Sequence, residues 1–263
     1  MHAPADARQP RVALYWMAIS HPCQAVHKML ELKGVEHDLV DVFPLSQRIH
    51  LRLAGFRSGT VPALKLDGRR ISGSRAISRA LEERWGDPAL FPTDPELRAR
   101  VEQAERWGEE RLQPVPRRLF RYGVARDAEL REWAVRDVGL PFPALSAQAI
   151  RPALAWYLRT VEADGRRADT AAVRADLAEL PAHLGRVDQL LSDGTLALAP
   201  PNAATLQIMA SVRLLCRFAD LAELVGSHAC AQPAHELFPD FGGAIPPFLD
   251  RSWLSAPPSE SAA

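Results

Sequence analysis

Arg11-Val12-Ala13-Leu14-Tyr15-Trp16, followed after a brief loop by Ser20-His21-Pro22-Cys23, is the stretch on which the reading of this chain turns. Val12 to Trp16 is a short apolar run of strand-forming residues, and the residues beyond it predict a helix from about Pro22 to Lys33. Pro22 suits a first helical position, where a missing N–H is unpaired anyway, and Gly34 suits the left-handed residue just past a helix end. Val26, Met29, Leu30 and the Lys33 stem recur at three- and four-residue spacing and form one core-facing stripe. Ser20 and Cys23 therefore lie at a helix N-terminus, where unpaired amides and the macrodipole favour an anion such as a thiolate. A Ser there is also a good N-cap in its own right. This stretch alone supports both readings of Ser20.

Outward from that stretch the pattern continues as a small α/β unit. Glu36 to Phe43 predicts a second strand, and strand, helix, strand makes a parallel pair. Gln47 to Ala54 has helical spacing and stops at Gly55. Thr60 to Ser72 holds two short runs around Asp67-Gly68, the strongest hairpin signal in the chain. Pro62 cannot donate to a ladder and suits the start of the first run. Ser74 to Trp85, with Ile77, Ala80, Leu81 and Trp85 on one face, predicts a helix closed by Gly86. Three prolines between Gly86 and Pro95 then read as a linker. Beyond it only helices are predicted: Glu96 to Leu112, Ala128 to Val138, Ala147 to Glu162, Thr170 to Leu191 and Leu206 to Val225. The expected division is a unit over 11–88 and an all-helical unit over 95–255, with loose termini at 1–10 and 256–263.

Composition narrows the function. The 263 residues carry 32 Lys and Arg against 32 Asp and Glu, so the basic excess expected of a nucleic-acid binder is missing. Three scattered cysteines, Cys23, Cys216 and Cys230, make neither a disulfide framework nor a paired metal site. A reducing cytoplasm is the expected location, and residues 1–11 show no secretory signal. The most apolar long run, Leu206 to Val225, carries Arg213, Arg217, Asp220 and Glu223, so no membrane span is expected. Eight histidines show no ligand spacing, and no metal is expected.

As an ordered set, Leu14-Tyr15, Ser20-x-x-Cys23, Glu31-Leu-Lys-Gly34, Thr60-Val61-Pro62-Ala63-Leu64, Asp67-Gly68, Ile71-Ser72-Gly73-Ser74-Arg75-Ala76-Ile77 and Leu90-Phe91-Pro92 resemble the cytosolic glutathione S-transferases. The resemblance spans nearly the whole chain. It implies a thioredoxin-like α/β N-terminal domain followed by an all-α C-terminal domain, usually as a homodimer. It also implies a reaction: the thiolate of a bound low-molecular-weight thiol, glutathione as co-substrate, attacks an apolar electrophile between the domains.

By that resemblance Ser20 is the catalytic residue, donating a hydrogen bond to the thiolate. A free thiol titrating near 8.5 is only about 3% ionised at pH 7, and lowering that value by about two is worth about 2.7 kcal/mol. One hydroxyl donor and a helix N-terminus together supply about that much. Val61 precedes the expected cis-Pro62 and offers its backbone to the thiol, while Ser74 holds the γ-glutamyl end. His21, Cys23 and Arg75 complete the expected thiol-binding set. Family members usually carry Glu, Gln or Asp where Gly73 stands, so Gly73 opens a second possibility, a non-catalytic binding protein. Cys23, in the fourth position of a redox-type motif whose first Cys is replaced by Ser20, opens a third, one-thiol disulfide exchange. Arg117, Arg118, Phe120, Arg121 and Tyr122, with Trp107 and Trp133, fit either an electrophile site or a solvated basic helix end. Asn202 is the expected cap of the long apolar helix, with Thr205 bonding back to it.

Overall fold

The computed structural model describes residues 11–44, 46–137 and 169–254. The predicted helix Ala147 to Glu162 and the termini 1–10 and 256–263 lie outside the described residues. The chain divides into two compact units, Met1–Leu90 and Phe91–Ala263.

In the first unit, β1 (Val12–Trp16), α1 (His21–Leu32), β2 (Asp38–Asp41), α2 (Gln47–Leu53), β3 (Ala63–Leu66), β4 (Arg69–Ser72) and α3 (Ser74–Arg84) follow in sequence. The sheet order is β2-β1-β3-β4; β2 runs parallel to β1, and β3 and β4 are antiparallel additions. β2 is half as long as the predicted run. Asp67 and Gly68 turn the hairpin with φ of 48° and 86°, the paired left-handed residues that a tight hairpin turn requires. Val12 and Leu14 are buried on the face where α1 packs on α3. Tyr15, one residue on, points to the opposite face, where Val42, Leu51, Phe56 and Ala63 form a second core layer that includes α2. This alternation is the two-residue period of a strand covered on both faces.

The exit from this unit is fastened by a buried cation. Lys33, just past α1, donates to Glu82 Oε2 (3.1 Å), to the Pro88 carbonyl (2.9 Å) and to the Trp85 carbonyl. Glu82 Oε2 also accepts the Leu90 amide at 2.9 Å. The sequence reading assigned Lys33 only a packing stem; its ammonium is the more important part.

The second unit is helical among its described residues: α4 (Pro95–Trp107), α5 (Pro114–Arg126), α6 (Ala128–Asp137), α7 (Thr170–Ser192), α8 (Ala203–Arg217), α9 (Ala222–Gly226) and α10 (Ala231–Leu237). Two differences from the sequence reading have physical causes. Between α4 and α5 the chain widens into a π turn, Gly108–Leu112, closed by Gln113 N–H to the Gly108 carbonyl at 2.8 Å. Pro114 lacks an N–H and would crowd the carbonyl four residues back in a regular helix, and the wider turn accommodates it. Gly108 also lets α8 come close, since a Cβ there would lie 2.8 Å from Ile208 Cγ1.

The predicted helix Leu206 to Val225 is two helices. It breaks at Phe218, whose backbone is extended (φ −73°, ψ 114°) and pairs with Ile245. Ile245 N–H reaches the Arg217 carbonyl at 2.6 Å, and Ala219 N–H reaches the Ile245 carbonyl at 3.0 Å. Two buried guanidiniums hold the same returning segment, Arg213 Nε on the Phe238 carbonyl (3.0 Å) and Arg217 Nε on the Gly243 carbonyl (2.8 Å). At the other end of α8, Asn202 Oδ1 accepts the Thr205 amide at 2.9 Å, the expected cap. The Thr205 hydroxyl donates to the Ala197 carbonyl (2.7 Å), with Asn202 Oδ1 the alternative acceptor at 3.0 Å.

Candidate functional site

Strand register gathers the candidate residues of the first unit. Tyr15 of β1 stands opposite Ala63 of β3, and Ala63 stands opposite Ser72 of β4. The loop after β1, the residues before β3 and the residues after β4 therefore meet at one end of the sheet. Ser20, Val61-Pro62 and Ser74 sit there, each within one to four residues of a strand end.

The loop into α1 is compact. Ser20 N–H bonds the Met17 carbonyl at 2.9 Å, and the Gln24 amide group reaches back to the Ala18 carbonyl at 2.6 Å. Ser20 occupies the N-cap position of α1 with extended backbone (φ −84°, ψ 109°), yet its side chain makes no capping hydrogen bond. The amides of Cys23 and Gln24 bond the Ser20 carbonyl instead, at 2.9 and 3.0 Å. Its half-buried hydroxyl is thus not spent on the helix.

Val61-Pro62 is cis, as the resemblance implied. The register with β1 ends at Ala63, so Val61 lies outside the ladder. The Pro62 carbonyl accepts Gly73 N–H at 3.0 Å, which ties the start of β3 to the entry of α3. Gln47 Nε2 bonds the Gly59 carbonyl at 2.6 Å, and a Cβ on Gly59 would lie 2.8 Å from Arg48 Cγ, so α2 supports the same loop. Sequence reasoning missed Gln24 and Gln47, because a side chain that closes a loop carries no periodic signal.

Gly73 is the N-cap of α3, with φ of 89°, and its absent side chain would meet nothing within 4 Å. Space does not exclude an acid there; the left-handed backbone does. Ser74 is buried at the first position of α3, and Arg75 beside it is half-buried.

Three of the candidates are buried. Cys23 has 0% of its surface exposed, and His21 2%. Both side chains are packed within the unit, as is that of Ser74 at 3%. Elsewhere, burial pushes the Cys216 thiol up to about 11 and raises Cys230 further, with Asp188 adding to the effect. Among the described residues no group of three or more His, Cys, Asp or Glu could hold a metal ion, and no helix is long and apolar enough to cross a membrane.

In the helical unit the Arg117 to Tyr122 run is not a solvated helix end. Arg118 pairs with Asp176 of α7, and Arg117 donates to Gln113 Oε1 at 2.6 Å. Arg126 stacks 4.2 Å over buried Tyr122, and Arg186 lies 4.5 Å over the Trp107 ring.

Comparison with known proteins bears on the same residues. Residues 14–89 match the family described as glutathione S-transferase, N-terminal domain. Curated maleylacetoacetate isomerases of Mus musculus and Rattus norvegicus are each 30% identical over 120 residues, which is 44% of this chain and 55% of theirs. The chain thus spans about half the length of these curated relatives. A glutathione S-transferase from Sinorhizobium meliloti superposes with a TM-score of 0.54 at 18% identity, over 86% of this chain and 92% of that one. A maleylacetoacetate isomerase from Anaeromyxobacter dehalogenans, with bound GSH, gives 0.51 at 20% identity, over 88% and 92%. At such identity these structures show a shared fold, with a thioredoxin-like first domain and a helical second one. The family match covers residues 14–89, and over that stretch the chain is similar to the glutathione S-transferase N-terminal domain.

Proposed function

We propose that the protein is a glutathione S-transferase-like enzyme in which Ser20 stabilises the thiolate of a bound low-molecular-weight thiol, glutathione as co-substrate, for attack on an apolar electrophile. The observation that carries this reading is the Ser20 hydroxyl, which stands at the N-terminus of α1 without capping it. A donor so placed bonds a ligand sulfur in its charged form, worth about 1.5–3 kcal/mol for a charge-assisted bond. The positive end of the helix dipole adds about 0.3–1 kcal/mol. Together they match the roughly 2.7 kcal/mol needed to make thiolate the main species at neutral pH.

The other residues position the thiol. Val61, outside the ladder, offers its backbone to the cysteinyl part, and Ser74 at the start of α3 receives the carboxylate of the γ-glutamyl end with the helix amides. Arg75 adds positive charge at that end. The reaction forms a carbon–sulfur bond from the thiolate, and Ser20 keeps its own proton throughout. A homodimer in the cytoplasm is the expected setting, as in the family.

Calorimetric titration with reduced glutathione, wild type beside Ser20→Ala and Ser74→Ala, tests the reading. Saturable binding that weakens by about tenfold in Ser74→Ala, with Ser20→Ala losing turnover rather than affinity, supports it. No binding at millimolar glutathione overturns it. Gly73 favours a second reading, a binding protein without catalysis; thiol binding without turnover of any electrophile would select it.

A further inference from the structure

Charge is segregated along a chain that is neutral overall. Between Val42 and Leu81 lie eight Arg or Lys residues and a single acid, Asp67. The rest of the chain accordingly carries seven more acids than bases. This stretch holds α2, the Val61-Pro62 loop, β3 and β4, and the first two turns of α3, and so carries the candidates Val61, Pro62, Ser74 and Arg75.

The position of the lone acid sharpens the asymmetry. Asp67 sits at the hairpin turn, where its Oδ1 accepts the Arg11 amide at 3.1 Å. Leu66 and Arg69 flank that turn and pair with each other, with Leu66 opposite Val12. Ser20, Val61 and Ser74 belong to the opposite end of the same strands, beyond the Tyr15–Ala63–Ser72 row. Asp67 is therefore at the far end of the sheet from the site. At the near end, Arg48 packs its stem where Gly59 leaves room, and Arg75 and Arg79 lie on the first two turns of α3. The next acid along α3, Glu82, is committed to Lys33 and the Leu90 amide. Asp41, opposite Trp16, is at this same end of the sheet, on the outer strand β2 with β1 between it and β3. Gly73 places no side chain at the entry of α3.

Glutathione carries two carboxylates and one ammonium. Its carboxylates meet a positive field here, but neither β3, β4 nor the start of α3 supplies a carboxylate for the ammonium at this end of the sheet. Resting on the thiol-binding reading above, we propose that the site takes thiols with at least two net negative charges and does not require a free amine, an amine-blocked or additionally acidic thiol being a better ligand than glutathione itself. The argument rests on Arg48, Arg75 and Arg79, the cations at this end of the sheet, since Arg69 lies beside Asp67 at the other end. Such a field acts over about a Debye length, 8 to 10 Å at physiological ionic strength, and raises both the encounter rate and the affinity of a dianion.

The test is calorimetric titration of the full chain with glutathione and with N-acetylglutathione, whose blocked amine leaves a dianion, at low and at physiological salt. The expected result is that N-acetylglutathione binds at least about threefold more tightly at low salt, that its advantage shrinks as salt rises, and that Arg75→Gln/Arg79→Gln reduces it in a variant whose thermal unfolding is unchanged. If glutathione binds and N-acetylglutathione binds equally or less well, the proposal is overturned while the thiol site stands. If neither binds at millimolar concentration, the thiol site falls and this inference falls with it.

Discussion

Lys33 and Glu82 form an ion pair across 3.1 Å in which the lysine side chain has no exposed surface and the glutamate is 17% exposed. Because the same ammonium also serves the carbonyls of Trp85 and Pro88, one side chain joins the end of α1, the last turn of α3 and the chain leaving the unit. Lys33→Met keeps the stem and removes the charge, leaving Glu82 buried without its cation. The variant is expected to lose about 3–5 kcal/mol. Lys33→Met/Glu82→Leu should recover part of that loss. Urea denaturation followed by a probe within residues 11–90 measures both.

Ser20→Ala separates chemistry from stability. A working Ser cap is worth about 1 kcal/mol, but this hydroxyl caps nothing, so the unfolding free energy should change by less than about 0.5 kcal/mol. Turnover with an electrophile near neutral pH should fall about ten- to hundredfold, because the bound thiol titrates higher without its donor. Partial recovery of the rate at pH 9 would tie the loss to thiolate formation. An unfolding loss of a full kilocalorie or more would show that the hydroxyl caps the helix after all.

Gly73→Ala probes the backbone at the entry of α3. The new methyl meets nothing within 4 Å, so any cost is conformational, about 1–2 kcal/mol for a φ of 89°. Gly73→Glu should cost as much and should not improve glutathione binding. A stable Gly73→Glu with tighter binding would contradict this.

Thiol reactivity should be uniformly low. Cys23 and Cys230 are fully buried, and the partly exposed Cys216 has its thiol pushed up to about 11. Iodoacetamide at pH 7.5 should leave all three unmodified over minutes in the native protein and alkylate all three in denaturant, as read by intact mass. Rapid native labelling of Cys23 would favour it as an exchanging thiol.

Histidine burial predicts a pH trend. Burial is the main cause holding the His27 and His183 imidazoles below the ordinary histidine value, although Glu31 and Glu179 respectively pull the other way. At these two residues the folded chain thus binds fewer protons than the unfolded one. This contribution is complete above about pH 6.5 and is lost as pH falls through that value towards the lowered folded-state pKa values. The urea midpoint should drop between pH 7.5 and 5.5, and His27→Gln/His183→Gln should flatten that slope.

Local chemistry was legible in the sequence; long-range pairing was not. Asp67-Gly68 marked the hairpin because its two left-handed residues are a local requirement, and Pro22 with Gly34 bracketed α1 for a similar reason. The break at Phe218 was hidden because this residue keeps its place in an apolar periodic run while its backbone answers to Ile245, 27 residues on. α5 was not among the predicted helices; Pro114 and Pro116 both fall within its first turn, where a missing N–H is tolerated. At the site, the residue types and their order were readable, but the burial of His21 and Cys23 was not. A thiol one turn into a helix can face either way, and only the packed sheet decides.

Arg213 and Arg217 have a consequence for amide hydrogen exchange. Their guanidiniums reach the Phe238 and Gly243 carbonyls, so residues 238–245 cannot swing away from α8 without stranding two buried cations. That return loop, which by length and glycine content resembles an ordinary surface connection, therefore belongs to the most slowly opening part of the helical unit. The amides of Ala219 and Ile245 should exchange with solvent only when α8 itself unravels.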